Sequence, residues 1–179
     1  MAFYLYCILI YKGAMLITET IMVEIGIFIF AIYNLFFTSL NKWKLPESIS
    51  ATSYLSKENY NTTWPFTMIC IVSVVCLFPL WIAVSPVIWQ FLVFLSCAGI
   101  LFAGSTPLYK EKFESRIHYT GGIIAFVSGL LWLTFTSNWV SLITIGLIGG
   151  LFTIFNKKSY TFIFEIISYI TICITVLSM

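Results

Sequence analysis

Charge is what this 179-residue sequence has least of: only 9% of its residues are Asp, Glu, Lys or Arg, against about a quarter in a soluble domain. Hydrophobic residues make up 60% and aromatic residues 18%, with a mean hydropathy of +1.01. A globule of this size has too much surface relative to its core to hide that many apolar side chains from water. The surrounding medium is therefore lipid.

Other scarcities exclude whole classes of function. The net charge of +2 is spread along the chain and forms no clustered basic face, so nucleic acid is not expected as a partner. There is one histidine, and the five cysteines (Cys7, Cys70, Cys76, Cys97, Cys173) sit in apolar runs without C-x-x-C spacing. A three-histidine or cysteine-rich zinc site is thereby excluded, the cysteines read as small buried hydrophobes, and neither metal nor cofactor is expected. No G-x-S-x-G elbow and no P-loop occur. Met1 to Tyr11 is apolar from the start, with the first base at Lys12, so the basic region that opens a cleaved signal peptide is missing.

Long apolar runs are what remains. About 20 apolar residues cross a hydrocarbon core as a helix, and that rule predicts an all-α, single-domain bundle of about six spans: 19–40, 63–84, 87–105, 117–135, 139–155 and 159–179. The segment before the first span is too short to cross and is expected at the interface; Met15 is an alternative start that would remove it. Asn41 to Thr62 is expected as a loop. Thr63 is placed as N-cap of the second span with Pro65 in its first turn, Pro79 is expected to kink that helix, and Ser85-Pro86 makes a hairpin turn.

Six spans put three loops on one side (41–62, 106–115 and 156–158), and these, with Arg116 directly after the second, carry eight of the nine bases. Positive-inside bias then predicts an inner-membrane, multi-pass protein with these loops in the cytoplasm and both termini outside. The sequon Asn61-Thr62-Thr63 would go unused there. Lys110, Lys112, Arg116, Lys157 and Lys158 are placed to meet anionic headgroups, so membrane lipids are expected partners.

Small residues recur at packing intervals: Gly99 and Ala103, then Gly121, Ala125 and Gly129, then Gly146 and Gly150. Such faces bring helix backbones together in lipid, either inside the bundle or between copies in a homo-oligomer.

Ionisable groups within spans are costly and point to function. Glu165 shares a face with Thr161, Ser168 and Thr175 near the cytoplasmic end of the last span; Glu24 is assigned a face with Ala31, Asn34 and Thr38 toward the outer leaflet. His118 opens the fourth span two residues after Arg116, and either is a natural partner for Glu165. The run Leu45 to Ser50 is placed to fold back over that site, bringing the Ser48 and Ser50 hydroxyls.

The motifs L-P-E-S-I-S (Leu45 to Ser50), A-G-I-L-F-A-G-S (Ala98 to Ser105) and I-H-Y-T-G-G (Ile117 to Gly122) together resemble a group of small, uncharacterised membrane proteins of bacteria and phages. They are distantly similar to the DRAM/Sfk-type six-span family, which has a P-x-I-S-like element after its first span. That resemblance implies the six-span fold; it also implies a luminal first loop, opposite to the charge count. Ceramidase-type membrane hydrolases are set apart by metal-binding histidines without counterparts here. The function these features favour is a non-enzymatic transporter, channel or lipid-binding bundle. Its ligand- or proton-binding candidates are Glu165, His118, Arg116, Glu24, Ser48 and Ser50. The alternatives are a structural or interaction protein, and a membrane hydrolase with a serine nucleophile and His118 as base.

Overall fold

The computed structural model describes residues 2–136, 139–140, 142–143, 145–147 and 159–179, with side chains from residue 16 onward. Every regular element among them is helical: α1 (Ala2–Leu40), α2 (Thr52–Tyr60), α3 (Trp64–Val84), a 3-10 turn (Val87–Trp89), α4 (Gln90–Ser105), α5 (Lys112–Phe135) and α6 (Tyr160–Ser178). Five stretches are long and apolar enough to cross a membrane: Leu16–Leu40, Trp64–Val84, Val87–Ser105, Lys112–Phe135 and Tyr160–Ser178. The expected span 139–155 lies for the most part outside the described residues; those described within it are helical. The protein is an all-α polytopic bundle.

Three boundaries differ from the sequence expectation. No separate interfacial segment precedes the first span, because α1 is one helix of 39 residues. Helix propagation adds a hydrogen bond for each residue fixed, and no proline interrupts the run. The loop 41–62 contains α2, nine residues whose inward face is made of Thr52, Ser53 and Ser56. Finally, α5 begins at Lys112, five residues before the expected start of its span. Its first-turn Glu114 holds the entry by accepting the Leu108 N–H at 2.9 Å, a carboxylate at the positive end of a helix.

The helix ends explain the path between spans. Where α1 ends, Lys42 and Trp43 adopt positive φ of 54° and 62°, and the Trp43 N–H donates to Thr38 O at 2.9 Å, satisfying one of the last carbonyls. Asn61, also left-handed at φ 53°, ends α2 with its N–H on Lys57 O. The sequon asparagine is thus a helix cap. Pro65 sits in the first turn of α3, and Pro79 is accommodated inside it without ending the helix.

At the end of α3 the Ser85 hydroxyl donates to Trp81 O at 2.5 Å and accepts the Trp132 indole N–H at 2.8 Å. Trp81 and Trp132 meet edge to face with centroids 5.3 Å apart, and both are fully buried. This pair, with Leu77, Val93, Leu133 and Cys173 around it, is the main apolar core. Free Cys97 and Cys173 are buried, while Cys70 and Cys76 are half-buried.

Between α4 and α5 the backbones nearly touch. A Cβ on Gly99 would stand 2.5 Å from Ala125 N and from Gly121 O, and one on Gly121 would stand 2.8 Å from Ala103 N and Gly99 O. The Gly99/Ala103 and Gly121/Ala125 faces therefore pack on each other inside the bundle. Each lets the other helix approach to backbone contact.

Candidate binding cavity

One face of α3, from Phe66 through Ile69, Cys70, Ser73 and Leu77 to Trp81, lines a partly open cavity of about 220 Å³. These residues recur at helical spacing and span fifteen positions, roughly 22 Å along the axis. Opposite them stand the matching faces of α4, α5 and α6, with Phe30 from α1 and Ile145. Most of the wall is apolar, and its carboxylate and imidazole, Glu165 and His118, sit with Ile49 and Ser50 at the end nearest the loops.

That end is closed by residues 45–53, which fold back as a strap across α6, α1 and the α4–α5 loop. Ser159 donates to Leu45 O at 3.0 Å, and the Phe162 N–H donates to Glu47 O at 3.2 Å. The Ile49 N–H donates to Glu165 Oε2 at 2.6 Å, a short bond of the kind a charged acceptor makes. Tyr33 of α1 is bonded to the Thr52 hydroxyl at 2.5 Å, which in turn donates to Ile49 O. The Ser53 hydroxyl lies 2.6 Å from Pro107 O. Strap, helix and loop are stitched through small hydroxyls, and Thr52, Ser53 and Ser56 are fully buried.

His118 is held with equal care. Its Nδ1 lies 3.0 Å from Ala103 O and 3.1 Å from Thr106 O; both are acceptors, so Nδ1 carries the proton. Nε2 is left without a partner among the described residues. Tyr109 stacks on the ring at 5.0 Å, with Tyr54 edge-on to Tyr109 at 5.3 Å. Burial pushes the Tyr109 phenol above its ordinary range, an effect partly offset by a hydrogen bond with Ser48.

The two carboxylates, the arginine and the histidine singled out from the sequence thus form no single cluster. Glu165 and His118 share the cavity, but no ion pair joins them among the described residues; Glu165 is bonded to the strap and His118 to backbone carbonyls. Arg116 does not join them. It is exposed and lines a different, outward groove with Phe102, Thr120, Gly121 and Ile124. The reason is angular: two residues are about 200° around a helix, so Arg116 and His118 face opposite ways. Glu24 is exposed and does not line the cavity. Asn34, ten residues on and about 280° around, is instead buried, its amide on Phe30 O at 2.8 Å.

Ser50 lines the cavity, whereas Ser48 stands behind it, bonded to the Ser50 hydroxyl at 2.9 Å and to the Ala51 N–H at 3.1 Å. Two further groups complete the inventory. The Ser168 hydroxyl and the Trp81 indole N–H are buried without a hydrogen-bond partner, and both residues line the cavity. An unmade bond at a buried polar group costs about 1–3 kcal/mol, so these two groups are costly features of the cavity wall. No metal-binding group of three His, Cys, Asp or Glu exists among the described residues.

Compared with protein-family models, curated proteins and solved structures, the chain has no match. What the site does must be argued from its own geometry.

Tyr109 was missed by sequence reasoning, because it carried no signal beyond its place in a polar loop. The fold-back of Leu45 to Ser50 was expected, but its continuation into the buried start of α2 was not, although between Glu47 and Lys57 the loop has no charge and five small hydroxyl residues, a composition suited to burial by hydrogen bonding rather than to solvation.

Proposed function

We propose that this protein is a lipid-binding membrane bundle that takes the chain of an amphiphile into its cavity, with the polar head under the strap beside Glu165 and His118. The observation that carries this reading is the cavity's polarity: titratable groups at one end, and an apolar wall running roughly 22 Å from Phe66 to Trp81. A ligand site of this kind is mostly apolar, with a few polar groups that fix orientation. Gly122 supplies the test. It lines the cavity, and a Cβ there would meet nothing within 4 Å. Gly122→Phe should fill the space without disturbing the packing. Native mass spectrometry of protein purified in mild detergent should show a bound amphiphile that is lost in Gly122→Phe, while circular dichroism of the variant shows the helical fold retained. If wild-type protein offered a total lipid extract carries none, the reading fails.

A purely structural reading is favoured by one observation, the Ile49 N–H bond to Glu165, which ties the strap to α6 whether or not a guest is present. The hydrolase reading gains no such support, since no serine hydroxyl is bonded to His118 among the described residues. For orientation, we infer that the strap end faces the cytoplasm of a bacterial-type inner membrane, because the described loops and the start of α5 at that end carry Lys42, Lys44, Lys57, Lys110, Lys112 and Arg116, the bias expected of a cytoplasmic face. Glu111→Cys should react with a membrane-impermeant maleimide only after permeabilisation. Labelling from outside intact cells would reverse the assignment.

A further inference from the structure

The charges around the cavity say which head it suits. Among the described side chains that line it, Glu165 is the one acid, and none is a lysine or arginine. Three described cations at this end are turned elsewhere: Arg116 into the outward groove, Lys110 over the Tyr54 ring at 4.9 Å, and Lys44 into a surface hollow on the far side of the strap. A carboxylate withdrawn from bulk water needs a positive charge or several donors around it. Here it has one donor, the Ile49 N–H on Oε2. Oε1 has none among the described residues.

The remaining polar groups at this end are acceptors or hydroxyls. His118 is fixed with its proton on Nδ1 by two carbonyls, so Nε2 is an acceptor. The Ser168 hydroxyl, three residues after Glu165 on the cavity-lining face of α6, is buried and unpartnered. Glu165 Oε1, His118 Nε2 and Ser168 Oγ give the cavity-lining residues three acceptors, the kind of group that the N–H donors of an ammonium require. A phosphate or carboxylate head would bring like charge beside Glu165 with no cation in the wall. The space below is narrow: about 220 Å³ drawn out over roughly 22 Å has no room for a second hydrocarbon chain beside a first.

We propose that the cavity selects a single-chain amphiphile with a protonated amine head, held by Glu165 with Ser168 and His118, its alkyl chain lying along α3 toward Trp81. This rests on the amphiphile-binding reading and adds head-group selectivity to it.

The test compares three probes of equal chain length, hexadecylamine, hexadecanol and hexadecanoate, offered to the full-length protein in nanodiscs at neutral pH. Binding is read by native mass spectrometry and by displacement of a bromoalkyl quencher of tryptophan fluorescence. The amine should bind about tenfold or more tighter than the alcohol, the scale of one hydrogen bond to a charged group, and hexadecanoate should bind more weakly than either. Glu165→Gln should retain the alcohol and bring amine and alcohol to similar affinity. Ser168→Ala should narrow the difference by a smaller factor. Equal binding of amine and alcohol to the wild type, or tighter binding of hexadecanoate, overturns the selectivity and leaves the cavity reading standing. If none of the probes binds and Gly122→Phe changes nothing, both fall. The wild-type comparison decides the matter even where a variant fails to fold.

Discussion

Gly121 and Gly122 are neighbours in the chain and opposites in the structure. A Cβ on Gly121 would press on the backbone of α4, 2.8 Å from Ala103 N and Gly99 O, while one on Gly122 would meet nothing within 4 Å. One step of about 100° around α5 separates a seam with no room for a methyl group from a wall with room to spare. Lipid offers no apolar driving force to hold helices together, so the seam must be held by close backbone contact. That leaves the bundle free to keep an open cavity on the other side. Rigidity is concentrated in α4 and α5, and space in the region they share with α3 and α6.

The largest effect should come from breaking the seam. Gly99→Ala places a methyl group 2.5 Å from two backbone atoms of α5, which cannot yield as a flexible side chain would. Overpacking of this kind costs about 3 kcal/mol or more when helices are forced apart. Denaturation in mild detergent should show a loss of that order or failure to fold. A melting point within a degree of wild type would mean that the seam is looser than these distances state.

The seam was readable in the sequence and the cavity was not, for physical reasons. Small residues at intervals of four are visible as a pattern, and so are spans, because lipid demands uninterrupted apolar stretches. Glu165 and His118 stood out because ionisable groups are rare in such stretches. Their partners are backbone groups, however: the Ile49 N–H for one, and the Ala103 and Thr106 carbonyls for the other. Every residue carries a backbone N–H or carbonyl, so nothing in the side-chain pattern could name these. The pairing with Arg116 failed because nearness in sequence is not a shared helix face. The strap was legible as a fold-back over the site, but its short helix α2 was hidden by hydroxyl residues that read as loop.

A middling effect should come from the strap, the polar lid over the open region. Glu165→Ala removes the acceptor of the Ile49 N–H, an unmade bond worth about 1–3 kcal/mol; Glu165→Gln keeps a carbonyl oxygen at the same place. Amide exchange at Ile49 should accelerate strongly in the first variant and little in the second. Equal exchange in both would show that the strap is held by Thr52, Ser53 and Glu47 without help from α6's carboxylate.

The smallest effect sharpens the contrast from the open side. Gly122→Ala puts a methyl group into empty space and replaces the residue that most disfavours a helix interior, short of proline, with the one that most favours it. The gain in helix propensity is about 1 kcal/mol, part of it through a less flexible unfolded chain. Gly129→Ala is the control, because its Cβ would stand 3.1 Å from Ile172 Cδ1, the movable tip of a side chain, so a small shift of that tip should offset most of the same gain. A rise in melting temperature for Gly122→Ala, absent or smaller for Gly129→Ala, is the expected outcome. These measurements are made on lipid-free protein; if Gly122→Ala lowers the melting temperature there, a neighbouring side chain occupies the space beside Gly122 and the contrast with Gly121 is smaller than these distances state.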